Sequence, residues 1–146
     1  MTDKLKELIE ESKEDIQINF LELINELNRI PTQVGKWLTY HQVQRQKMIL
    51  IETDYKKMVA LKTKFYMGKM DDDEREKYGW PLEGTKVLKA DLPMWLDSDD
   101  ELIKEKHKYK MQEQIVSFIE TTINSIQDKK WSIKNYIEWK KWTEGG

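Results

Sequence analysis

The residues whose types and spacing could do chemistry fall into three stretches. The first is KKMVALKTKFYMGK, Lys56 to Lys69, in which cations recur among rings and aliphatic side chains. On a helix, Lys57, Lys64 and Arg45 share one flank of an apolar stripe, Lys62 lies at its seam, and Phe65 and Tyr66 follow one turn on. Such a surface can track a phosphate backbone and offer rings to bases, each stack contributing about 1–3 kcal/mol. The same residues also make a solvated lysine face over a core of rings, and composition alone favours that arrangement.

The second stretch is KKWSIKNYIEWKKW, Lys129 to Trp142, with three of the six tryptophans and five lysines in fourteen residues. At about 100° per residue Trp131, Trp139 and Trp142 lie within about 80° of one another, and Ile133, Tyr136 and Ile137 widen the apolar arc past about 180°. A helix that apolar on most sides needs covering on most sides. Residues 131–143 therefore read as an assembly helix rather than an exposed stacking platform. The third stretch is Asp71, Asp72, Asp73 and Glu74. Four carboxylates could gather magnesium for a nuclease, but successive side chains in a loop rarely converge on a two-metal geometry, and a solvated acidic turn is the better reading.

Other chemistry is missing. His41 and His107 fall on different predicted helices, with no ligand spacing and no Ser-His-Asp order. The absence of cysteine removes disulfides, thiolate metal sites and cysteine nucleophiles. No GxxxxGKS/T or GxGxxG occurs, so any coupling to nucleotide hydrolysis must come from a partner. We therefore expect no enzyme, no metal and no cofactor. No uncharged run approaches a membrane span, and the residues after Met1 lack a signal peptide's apolar centre, so a cytoplasmic protein with no membrane partner is expected.

The elements that must position these stretches are helical. At 146 residues the chain has the size of one domain, with only three prolines and six glycines to interrupt it. Leu5, Leu8, Ile16, Phe20, Leu23 and Leu27 mark a first segment, with Asn19 as a break and Ile30-Pro31 as its end. From Thr32 to about Met67 a stripe of Trp37, Tyr40, Met48, Ile51, Tyr55, Met58 and Phe65 runs on, interrupted at Gln44 and Lys62. A helix of that length spans roughly 50 Å, against about 35–40 Å for a compact globule of this size, so an elongated molecule is expected. Residues 68–98 hold three glycines and two prolines and read as an acidic connector, in which TKVLKADL alternates weakly enough for one short strand. Ser98 then caps a helix to about Gln127, and a last helix starts near Ser132.

The net charge of −2 hides a segregation: residues 1–30 carry −4, 31–70 carry +6, 71–102 carry −7 and 103–146 carry +3. A polyanion responds to the local stripe and not to the total.

The order of these features resembles the UvsY family of phage recombination mediator proteins. The matching pieces are DIQI (Asp15 to Ile18) before an apolar helix and RIP (Arg29 to Pro31), then VALKTKFYMGK, TKVLKADLPMWLDSDDELIKEKHK and INSIQDKKWSIKNYIEWKKWTEG. The resemblance implies a non-enzymatic protein that binds single-stranded DNA, assembles as a ring-like homo-oligomer, and helps a RecA-like recombinase replace single-strand-binding protein, in the host cytoplasm. It implies that a basic motif of the form Lys-Ala-Arg-Leu contacts DNA, here Lys62-Thr63-Lys64-Phe65. Lys64 in place of Arg keeps the charge and loses the planar fork. The C-terminal helix is, by the same resemblance, the oligomerisation element. The alternative from the residues alone is a helical adaptor that binds only proteins.

Overall fold

The computed structural model describes residues 1–81 and 86–145, which form five α-helices and no strand. They are α1 (Asp3–Ile16), α2 (Leu23–Tyr66), α3 (Asp72–Tyr78), α4 (Leu92–Asp97) and α5 (Asp100–Thr143), so the mainly α expectation holds. Among the described residues no helix is long and apolar enough to cross a membrane. The chain forms two compact units, Met1–Lys47 with Met111–Gly146, and Met48–Lys110.

The first unit is built on Leu8 of α1, Trp37 of α2, and Ile115, Ile119, Ile123 and Ile126 of α5, with Ile30, Val34 and Tyr40 packed against them. Thr2 caps α1 by accepting the Leu5 N–H at 3.1 Å. The rings in this core keep their polar ends satisfied, as buried donors require: the Trp37 indole donates to Asp15 and the Tyr40 hydroxyl to Glu11, both at 2.8 Å. Gln44, the polar gap in the α2 stripe, meets Gln112 of α5, whose amide donates to both the Gln44 carbonyl and its side-chain oxygen.

Two expected helix ends are corrected. Pro31 does not stop the chain but lies inside α2. Proline in a helix interior costs about 3 kcal/mol, yet Pro31 faces solvent while Ile30, Val34 and Trp37 commit both of its flanks to one core. Asn19 forms the turn before α2, its side chain accepting the Leu21 N–H at 3.0 Å. Likewise α5 runs unbroken through Ser132, because Ile126, Lys129 and Ile133 are all buried and continue one face across the expected gap.

The second unit gathers Phe65, Met70 and Trp80, with Met58, Leu61 and Tyr66 around them. Gly68, at φ 71°, ends α2: its N–H bonds the Phe65 carbonyl and the Lys69 N–H bonds the Lys64 carbonyl, a pairing that needs a left-handed residue. The connector 68–98 therefore contains α3 and α4. Asp71 caps α3, and the other carboxylates of the acidic run occupy its first turn, where the helix dipole favours them. The expected strand is absent from the described part of TKVLKADL, which instead bonds the Val87 N–H to the Tyr66 carbonyl at 3.0 Å and turns into α4; Thr85 lies outside the described residues. Asp99, not Ser98, caps α5, accepting the Leu102 N–H at 3.0 Å, while the Ser98 hydroxyl turns back to Met94.

Candidate nucleic-acid interface

The last turns of α2 carry Lys62, Thr63, Lys64, Phe65 and Tyr66 within the second unit. Lys62 and Lys64 leave the helix about 200° apart, so they meet different surroundings. Lys62 turns inward and is 5% exposed. Its Nζ stands 3.1 Å from Asp99 Oδ2 and 3.2 Å from Glu101 Oε1, and 4.1 Å from the centre of the Trp80 ring. The Trp80 indole donates to the same Glu101 oxygen at 2.9 Å, and the Tyr66 hydroxyl donates to Asp99 Oδ2 at 2.5 Å. Burial, and then the bond to Asp99, pushes the Tyr66 hydroxyl far above its ordinary value. Burial by itself would raise the Asp99 carboxyl, but the Tyr66 hydroxyl, the Leu102 N–H and Lys62 hold it below its ordinary value of 3.8.

Lys64 turns outward. It is half-exposed and donates to both carboxylate oxygens of Glu74, at 2.7 and 3.0 Å. The bond to Glu74 raises the Lys64 ammonium above its ordinary value of 10.5. Glu74 is presented by the first turn of α3, which Asp71 fixes at one end and Gly79, at φ 72°, at the other.

Two of the expected contacts are thereby corrected. Lys62 is an internal cation in a cavity of about 320 Å³ that Asp99, Asp100 and Glu101 also line, so a phosphate entering there would meet carboxylates. Phe65 is core, its ring 5.3 Å from that of Trp80 and 5.2 Å from that of Tyr66, and offers no face to a base. Lys57 is exposed on α2 as expected, and Arg45 is exposed within the first unit. Sequence reasoning missed Lys86, whose stem lies 3.5 Å from where a Cβ on Gly68 would stand. It missed Trp95 too, an exposed ring 5.9 Å from that of Tyr66. Neither belongs to α2, and only the charge segregation between 31–70 and 71–102 hinted that the two segments meet.

The closing turns of α5 divide the residues expected there. Ile133 is fully buried in the first unit and is not an assembly surface, which corrects that assignment. Trp131, Trp139 and Trp142 are 58%, 60% and 83% exposed, far more than large rings usually are. Tyr136 and Ile137 are half-buried, the Tyr136 ring lying 4.7 Å from that of Phe20. A groove of about 350 Å³ between Leu27 and Ile137 is flanked by Lys130, Lys134 and Lys141. Leu21 and Ile24 are also exposed, and neither was singled out from sequence as an assembly residue.

Among the described residues no group of three or more acidic or histidine side chains is placed to hold a metal ion.

A family profile described as recombination, repair and ssDNA binding protein UvsY matches residues 11–146. The recombination protein uvsY of Enterobacteria phage T4 is 22% identical over 142 residues, covering 97% of this chain and 98% of its own. The crystal structure of the bacteriophage T4 recombination mediator protein UvsY in lattice type II superposes with a TM-score of 0.82 at 23% identity, covering 100% of this chain and 99% of that one. Lattice type IV of the same protein gives 0.80 at 22% identity, over 94% and 98%. At these identities the structural likeness speaks for the fold.

Proposed function

Since the chain belongs to the UvsY family of recombination, repair and single-stranded DNA-binding proteins, we propose that it is a non-enzymatic mediator acting in the host cytoplasm. It binds single-stranded DNA as a homo-oligomer and promotes loading of a RecA-like recombinase onto DNA coated by single-strand-binding protein. The observation that carries this reading is the cationic surface that the second unit's part of α2 exposes in a family member, with Lys57 exposed and Lys64 half-exposed; Arg45 is exposed separately in the first unit. Lys62 serves it indirectly, by fixing the end of α2 on which Lys64 stands.

Each protomer offers a few cations held by half-exposed or exposed side chains, so its own grip on phosphates is modest. Self-association through Trp131, Trp139 and Trp142 sets several such grips side by side, and the second contact on one strand then forms at high effective concentration. Anisotropy of a labelled single-stranded oligonucleotide tests the reading. If four to six phosphates are neutralised per protomer, affinity falls about fifty- to three-hundred-fold between 50 and 200 mM salt, with little sequence preference. A protein-only adaptor is the second reading, favoured by the carboxylates that already hold Lys62 and Lys64. Absence of any binding at low salt would select it.

A further inference from the structure

The two lysines of the basic motif are both met by carboxylates, and all of those carboxylates come from the acidic segment that follows in the chain: Glu74 for Lys64, Asp99 and Glu101 for Lys62. The two arrangements differ in how they can open. The Lys62 pair is nearly dry, 6% and 5% exposed, and is tied to Tyr66, Trp80 and the start of α5. Opening it would strip a buried carboxylate of its cation. The Lys64 pair is half-exposed on both sides, and among the described residues its ion pair is with Glu74, Asp71 acting on it only through space.

Glu74 offers Lys64 two oxygens in a plane, much as a phosphate would. It is not a loose side chain on a mobile turn. Asp71 accepts the Glu74 N–H at 2.8 Å, and the Gly79 and Trp80 N–H groups close the other end of α3 on the Glu76 and Arg75 carbonyls. The short helix thus delivers one carboxylate to one lysine.

We propose that Glu74 is an internal competitor for DNA: it occupies Lys64 in the free protein, and a phosphate of the bound strand must displace it. The proposal rests on the single-stranded DNA-binding reading and adds a regulation of that site. Because the displaced pair is half-exposed, its hold is weak, and it lowers affinity by a factor of about two to five per protomer rather than abolishing binding. In an assembly the factor recurs at each protomer that the strand reaches, so shielding disfavours short or partial contacts more than a strand that engages many subunits.

The test compares four full-length variants with the native protein, using anisotropy of a labelled oligothymidylate at 50 mM salt and thermal melts to confirm folding. They are Glu74→Gln, Asp73→Asn, Lys64→Gln and the double variant Glu74→Gln with Lys64→Gln. Asp73→Asn changes net charge by the same amount in the same turn of exposed acid, but Asp73 makes no ion pair with Lys64. Glu74→Gln should tighten binding about two- to five-fold, Asp73→Asn distinctly less, and the gain should vanish in the double variant. Equal effects of Glu74→Gln and Asp73→Asn, or a gain that persists without Lys64, would overturn the shield while leaving DNA binding intact. No binding by either the native protein or Glu74→Gln would remove the shield and the DNA-binding reading together.

Discussion

Lys62 and Lys64 stand two residues apart and have opposite fates, and substitutions at the two should separate accordingly. Lys62→Ala leaves Asp99 buried without its cation, and breaking such a pair costs about 3–5 kcal/mol, which chemical denaturation will read as a large loss of stability. Lys64→Ala should leave folding essentially unchanged and, on the proposed function, weaken single-stranded DNA binding. A double alanine variant would therefore confuse unfolding with lost contact. Asp99 also sets a pH dependence. Its folded-state pKa lies below 3.8, so its contribution is fully present above that value and is lost as pH falls through the depressed folded value. The stability gap between the native protein and Asp99→Asn should hold steady from pH 7 to about pH 5 and close in stronger acid. A gap that instead widened in acid would show that the Asp99 carboxyl is not held ionised by its partners.

Along the helices, the stripe pattern was legible and the ends were not. Trp37, Tyr40, Met58 and Phe65 face inward as their spacing indicates, and the end of α2 lies at Tyr66 beside the glycine that terminates it. Pro31 and Ser132 were read as boundaries because local propensity disfavours helix there, whereas burial of Trp37 on one side and Ile133 on the other depends on partners distant in sequence. The basic motif itself was visible, but its burial was not: nothing local to Lys62 announces that Asp99, thirty-seven positions later, will meet it. Gly35 offers a test at this scale. It lies inside α2, faces solvent, and a Cβ added there meets nothing within 4 Å. Gly35→Ala should stabilise the protein by about 0.5–1 kcal/mol, measured by denaturant unfolding. A loss of stability would contradict the open surroundings of this position.

For the molecule as a whole, the proposed function rests on one physical claim: weak cationic contacts become an effective grip only when self-association repeats them. The exposed tryptophans of α5 and the buried Ile133 beside them allow assembly to be separated from folding. Ile133→Ala removes a fully buried side chain and should cost about 2–5 kcal/mol of stability, whereas Trp139→Ala with Trp142→Ala should leave the folded subunit intact. The most direct measurement is sedimentation of the native protein and of that double tryptophan variant, each with and without a labelled single-stranded oligonucleotide. The account predicts a native oligomer that carries the oligonucleotide, and a dissociated but folded variant whose affinity falls by at least about tenfold. A variant that sediments as a single subunit and binds the strand as tightly as the native particle would contradict it.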